Sequence, residues 1–257
     1  MTSYCIQCYN IFNHFILKKG DNIRDMGYGL TIAQRKITER TLVDKVYNLL
    51  LEDILFGRIA MGTVLNESEL CDIYGASRSV IREVIVRLST ARILEKKPHQ
   101  PAKVRVFTEK DIRDLFNVRL YLELSAIEAI DVFPEDRYIY LRDLIENPDF
   151  DRNKYIFTDR TFHEEIVKLA NNEILLNLYL QIRDQVQIAR ALMTERHPEK
   201  VIELNKEHQN LLDSLKKGDK ENAIEVTKMH ITGARDETIL WIREAANKNQ
   251  ERGDRGQ

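Results

Sequence analysis

Little in this chain can interrupt a helix: its 257 residues include only 10 glycines and 5 prolines. With 31% charged residues and plentiful Leu and Ile, that scarcity favours a mainly α-helical soluble protein. Cysteine is scarcer still, at three, which excludes a disulfide framework. Cys5 and Cys8 form a lone C-x-x-C with no second pair and no adjoining βαβ pattern, so neither a zinc knuckle nor a redox motif is expected there. Cys71 reads as a small packing residue. No apolar run approaches the roughly 20 residues of a membrane span, so a cytoplasmic protein without a membrane partner is expected. Neither sign of charge dominates: 39 Lys and Arg stand against 41 Asp and Glu, which argues against a polybasic coat protein.

What is present is organised around residues 65–106. Asn66 reads as an N-cap bonding the Glu69 N–H, with Glu69 completing a capping box and Leu65 and Leu70 forming a hydrophobic staple. Gly75 ends that helix in the left-handed conformation. After a short turn, Ser77 caps a second helix running to about Thr90, which is helix–turn–helix spacing. Ile81, Val84, Ile85 and Leu88 form its inward stripe, leaving Arg78 and Arg82 on the other face beside Ser77 and Ser79. Hydroxyls and guanidinium forks at a helix start suit base edges and phosphates in a major groove. Residues 93–97 and 102–107 read as a two-stranded ribbon around a turn holding His99. Lys96, Lys97 and Lys103 on that ribbon supply phosphate contacts. Across residues 76–106 only Glu83 and Glu95 oppose Arg78, Arg82, Arg87, Arg92, Lys96, Lys97, Lys103 and Arg105. That concentration is the footprint of a duplex-binding module. The plainer alternative is a helical hairpin with a solvated charged face.

Residues 57–106 resemble the winged helix of the GntR family of bacterial transcription regulators. The matching residues are Gly57-Arg58-Ile59, Gly62, Leu65-Asn66-Glu67, Glu69-Leu70, Gly75-Ala76-Ser77-Arg78, Val80-Ile81-Arg82-Glu83-Val84 and Arg87-Leu88. The resemblance implies that Arg78 and Arg82 reach operator DNA. Two departures stand out: Ser68 replaces an arginine of the fatty-acid-regulator branch, and Pro98-His99-Gln100-Pro101 replaces the usual wing-tip glycine.

Residues 1–36 fall outside the resemblance and read as an N-terminal extension or the product of an upstream start, with Met26 an alternative beginning. A supporting helix is expected from about Ile37, with Leu42, Val46, Leu50 and Ile54 buried and Gly57 closing it. The DNA-binding domain is then residues 37–107. Thr108, with Asp111 three positions on, caps the next element. Residues 108–246 read as helices at about 109–131, 135–146, 152–170, 173–195, 199–216 and 219–246, with residues 247–257 a frayed polar tail. The expected architecture is mainly α: an N-terminal winged helix–turn–helix followed by an all-α antiparallel helical bundle.

Polar residues interrupt the inward stripes of that bundle. Tyr155, Asp159, Phe162, His163 and Ile166 share one face; His208 stands among Val201, Leu204, Leu211 and Leu215; His230 stands among Ala223, Thr227, Ala234 and Thr238. His208 lies ten residues before Gly218 and His230 twelve after it. At 1.5 Å per residue these lie about 15 and 18 Å from the hairpin turn, so the two rings share a level. Three imidazoles and a carboxylate that converge suit Zn²⁺, Ni²⁺, Mn²⁺ or Fe²⁺. A single core histidine is more often merely hydrogen-bonded, and His14 and His197 lie outside the cores. Arg119 and Glu123 also face inward, between Phe116 and Ala126, as an internal ion pair or with Arg119 as a fork for a substrate carboxylate.

Residues 111–243 resemble the effector-binding domain of the fatty-acid-regulator branch, through Arg119-x-x-x-Glu123, Asp159-x-x-x-His163, Glu207-His208 and Gly218-Asp219 followed by His230. The resemblance implies that Asp159, His163, His208 and His230 ligate a metal. The resulting expectation is a homodimeric regulator, not an enzyme. It binds double-stranded, palindromic operator DNA and responds to a small organic-acid effector. Two alternatives remain: a metal-dependent hydrolase or oxygenase built on the bundle, and a regulator that binds an acyl thioester without metal.

Overall fold

The computed structural model describes residues 41–146, 152–194 and 198–254. The extension 1–36, Cys5, Cys8, His14 and His197 lie outside the described residues. Helix α1 (Leu42–Leu55) opens on a capping box: Thr41 Oγ1 accepts the Asp44 N–H at 3.2 Å, and Asp44 Oδ2 accepts the Thr41 N–H at 3.1 Å. This box, rather than a residue near Ile37, sets the start. Leu42, expected on the buried stripe, is 52% exposed, and Leu51 and Leu55 widen the stripe of Val46, Leu50 and Ile54 instead. Gly57 follows the helix at φ 73°, a conformation that favours glycine.

The next two helices are α2 (Glu67–Tyr74) and α3 (Arg78–Thr90), joined through Gly75 at φ 58°, ψ 35°. Asn66 does cap α2, but its Oδ1 accepts the Ser68 N–H at 2.9 Å, not that of Glu69. Its short side chain reaches the second helical residue rather than the third, so the expected box with Glu69 is not made. The staple is present, with Leu65 and Leu70 both buried. Ser77 caps α3 through the Val80 N–H, and Ile81, Val84, Ile85 and Leu88 are buried as a continuous stripe.

The ribbon is shorter and broader than expected. Strands β1 (Leu94–Glu95) and β2 (Lys103–Val104) pair antiparallel, Leu94 with Val104 and Glu95 with Lys103. On the other edge of β2, Val64 pairs with Lys103, Leu65 N–H donates to Ala102 O, and Val104 N–H donates to Thr63 O. The segment leading into α2 thus acts as a third strand, which an alternation pattern only three residues long does not announce. His99 takes the wing turn at φ 60°, where glycine is the usual occupant.

Thr108 and Asp111 form a second capping box and launch α4 (Glu109–Ala129). The bundle continues with α5 (Glu135–Glu146), α6 (Arg152–Leu169), α7 (Glu173–Thr194), α8 (Pro198–Lys217) and α9 (Lys220–Asp254). Gly218, at φ 73°, turns α8 into α9. Helix α9 does not end near residue 246. It runs to Asp254, because its polar last turns contain no glycine or proline before Gly253. Helix α4 packs along α9, α7 and α6, while α5 covers α6 and α8. The apolar core of α1–α3 and the wing does not close on itself. Ile112 and Phe116 of α4, Val186, Ile188 and Ala189 of α7, and Ile231 of α9 belong to the same cluster. Among the described residues, no helix is long and apolar enough to cross a membrane.

Candidate metal centre and nucleic-acid interface

Five helices converge on a buried polar cluster. Asp159 and His163 come from α6, one turn apart; His208 comes from α8 and His230 from α9. All four are at most 2% exposed, and one potential ligand atom from each lies within 4.8 Å of the others. The hairpin estimate of a shared level is met: Nε2 of His163 is 3.2 Å from Nε2 of His208 and 3.2 Å from Nε2 of His230. Asp159 Oδ1 stands 3.8 Å from His163 Nε2 and 3.6 Å from His208 Nε2.

The far sides of two rings are fixed by carboxylates. His163 Nδ1 is 2.9 Å from Glu123 Oε2, and His230 Nδ1 is 2.7 Å from Glu207 Oε2. A carboxylate can only accept, so each Nδ1 carries the proton and each Nε2 presents a lone pair to the centre. Two such lone pairs 3.2 Å apart need a cation, or a shared proton, between them. Burial, and then the charges of His163, Arg119 and Arg190, hold His230 well below the usual imidazole range. Burial, followed by His230 and His163, does the same to His208. Neutral imidazoles with inward lone pairs are the state in which metal ligands work. The donor set therefore fits a divalent transition ion.

The buried carboxylates are compensated in a way the inward stripes did not reveal. Asp159 Oδ2 accepts from Arg190 Nη1 at 2.5 Å and from Gln187 Nε2 at 2.6 Å, both from α7. Burial raises the Asp159 pKa, but Arg190 and then the two histidines outweigh it and hold the group well below the usual carboxylate range. Asp159 thus stays charged, with Arg190 first among the groups that compensate it. Glu123 is likewise pushed up by burial, yet Arg119 and His163 bring it down to about 2. Arg119 Nε donates to Glu123 Oε1 at 2.6 Å, which is the internal pair expected as one alternative. Among the described residues its buried Nη1 and Nη2 have no hydrogen-bond partner, which leaves the fork required by the other alternative.

Arg190, Gln187 and the role of Glu207 were missed. Glu207 sits in the Glu207-His208 motif, but its use depends on facing His230 across the hairpin. Arg190 gave one usable signal, an arginine between Ala189 and Ala191 on an otherwise inward stretch.

The residues expected from the sequence to meet DNA are all exposed. Ser77 caps α3, Arg78 and Ser79 occupy its first turn, and Arg82 follows one turn later, all exposed. Ser77 Oγ and Ser79 Oγ are 2.9 Å apart. Arg82 rests against Glu67 at 2.8 Å with its side chain 63% exposed, a pair that costs little to release. Lys96, Lys97 and His99 lie exposed on the wing turn, and Lys103 is exposed on β2. The basic footprint is narrower than the composition implied. Arg87 pairs with Glu83 and Asp44, and Arg105 turns towards the bundle, to Asp111 and Gln185.

The model described as bacterial regulatory proteins, gntR family, matches residues 42–104, and that of the FCD domain matches residues 114–233. An HTH-type transcriptional regulator of Bacillus subtilis strain 168, YdhC, is 28% identical over 193 residues, covering 72% of this chain and 84% of that protein. A probable D-xylose utilization operon transcriptional repressor of Paenarthrobacter nicotinovorans is 25% identical over 206 residues, covering 77% and 89%. The fold matches that of E. coli McbR/YncC with a TM-score of 0.69 at 21% identity, over 81% of this chain and all (100%) of that one. These relatives are named as transcriptional regulators, not as hydrolases or oxygenases. A winged helix and a helical bundle, matched in that order, place the chain in the GntR family of bacterial regulatory proteins, as a DNA-binding transcriptional regulator with an FCD domain.

Proposed function

We propose that this regulator belongs to the fatty-acid-regulator branch and that its hold on operator DNA is set by a small organic acid bound at a divalent metal. The observation that carries this is the convergence of three Nε2 atoms on Asp159 in a fully buried centre backed by Glu123 and Glu207. Asp159, His163, His208 and His230 would hold the ion. Three nitrogens and one oxygen suit Zn²⁺, Ni²⁺, Mn²⁺ or Fe²⁺ alike. The ion's contribution is a Lewis-acid position for an oxygen of the effector.

Charge explains why that effector is an acid. Arg119 with Glu123 and Arg190 with Asp159 are two buried cations against two buried anions. A divalent ion adds two positive charges, and Glu207 returns one negative charge. A carboxylate supplies the remaining one, and the unpartnered Nη1 and Nη2 of Arg119 offer it a bidentate seat. Chelator-stripped and metal-loaded protein should therefore differ in a thermal-shift screen of small carboxylic acids: acids raise the melting temperature only when metal is present. Equal shifts with and without chelator would support the metal-free alternative instead.

At the DNA end, Ser77, Arg78, Ser79 and Arg82 on α3 read bases, and Lys96, Lys97, His99 and Lys103 on the wing hold the backbone. The exposure of all eight side chains supports this. A second copy completes the reader and makes the operator palindromic. Val118 and Tyr121 on α4 and Ile174 and Leu178 on α7, exposed apolar residues on two helices that pack together, offer that copy a face. On a duplex selected from a random library, Arg82→Ala should lose about 1–3 kcal/mol of specific binding. Lys97→Ala should weaken all sequences alike and flatten the salt dependence. Titrations that match wild type for both variants would remove these assignments.

A further inference from the structure

Every residue from 184 to 190 of α7 is buried, so this stretch shows no exposed stripe. Two turns of helix buried in this way are gripped by different neighbours on opposite sides. On one side Gln187 and Arg190 hold Asp159 Oδ2. On the other, Gln185 Oε1 accepts from Nη1 of the wing residue Arg105 at 3.1 Å, while its Nε2 is fixed on Gln181 O at 3.1 Å. Val186, Ile188 and Ala189 share the apolar cluster of α1–α3 and the wing. Arg105 is held a second time by Asp111, the capping-box partner of Thr108 in the first turn of α4, and its guanidinium lies 4.9 Å over the Phe107 ring.

We propose that residues 184–190 form a positioning element that ties the carboxylate of the metal centre to the wing, with Gln185 and Arg105 as the joint. This rests on the metal reading above and names how that centre governs the reading head. An ion among the three Nε2 atoms competes with Arg190 for the charge of Asp159. Gln185 is five residues from Arg190, about 7.5 Å along a rigid helix. A close-packed interior passes on a small displacement rather than absorbing it. A groove of about 780 Å³, bordered by Arg105, Asp111, Asp184, Gln185, Tyr47 and Arg87, lies between the wing and the bundle beside the joint.

The test is hydrogen exchange of the full chain, with Zn²⁺ and with chelator, read alongside calorimetric Zn²⁺ binding. In wild type, Zn²⁺ should change amide exchange of β1, β2 and residues 105–107 severalfold. Gln185→Leu and Arg105→Met should bind Zn²⁺ within about twofold of wild type and lose the wing response. Gln185→Glu, which keeps an acceptor for Arg105, should retain it. Circular dichroism and melting establish that each variant is folded, and Arg105, at the wing side of the joint, provides the check if Gln185→Leu is not. A wing that ignores Zn²⁺ although calorimetry shows binding, or a full response in both uncoupling variants, would overturn the joint alone. Absence of Zn²⁺ binding in wild type would overturn the metal reading together with it.

Discussion

Arg190→Met should destabilise the metal-free protein by about 3–5 kcal/mol, the cost typical of stripping a buried charge of its partner. Asp159 is fully buried and kept ionised first of all by Arg190, whose Nη1 lies 2.5 Å from Oδ2. Methionine matches the aliphatic reach of arginine, so little of the loss comes from a cavity. What remains, among the described residues, is a carboxylate with Gln187 and Tyr155 as donors, at 2.6 and 3.5 Å. Urea denaturation with chelator present reads the loss as a lower midpoint at unchanged slope. Adding Zn²⁺ should restore part of it, because the ion then supplies the missing positive charge. A variant that unfolds at the wild-type midpoint would show that Asp159 does not depend on Arg190.

His208→Ala should abolish measurable metal binding. Among the described residues its Nδ1 is buried without a partner, so its role in the cluster is carried by Nε2. Loss of a hydrogen-bonded partner behind a ligand costs about 10–100-fold in affinity, which is the effect expected of Glu207→Ala. Loss of the ligand itself should exceed that. At a metal concentration a thousand times Kd, wild type should gain about 4 kcal/mol of stability and His208→Ala essentially none. Full metal content in purified His208→Ala, with a wild-type circular dichroism spectrum, would remove it from the ligand set.

Much of this site is legible in the sequence because the signals are local. A stripe that repeats every three or four residues fixes which side chains face inward, so Asp159, His163, His208 and His230 could be assigned to the bundle interior from spacing alone. Gly218 then set the register between α8 and α9. Gly75, Ser77 and Thr108 mark helix ends by chemistry that does not depend on the rest of the fold. Arg190 was not legible for the opposite reason: its partner is 31 residues away on another helix. A segment buried at every position shows no stripe to be interrupted. Asn66 misled because a cap can bond either of two N–H groups, and the choice is settled by side-chain reach. The third strand at Thr63–Leu65 owes its pairing to β2, and nothing in its own residues requires it.

X-ray absorption at the zinc edge of Zn²⁺-loaded full-length protein reads the central cluster most directly. Ligation by Asp159, His163, His208 and His230 predicts a shell of nitrogen and oxygen at about 2.0–2.2 Å, with the outer scattering of three imidazoles. A sulfur at about 2.3 Å, from Cys71 or the Cys5-x-x-Cys8 pair, or a spectrum without imidazole scattering, would contradict it.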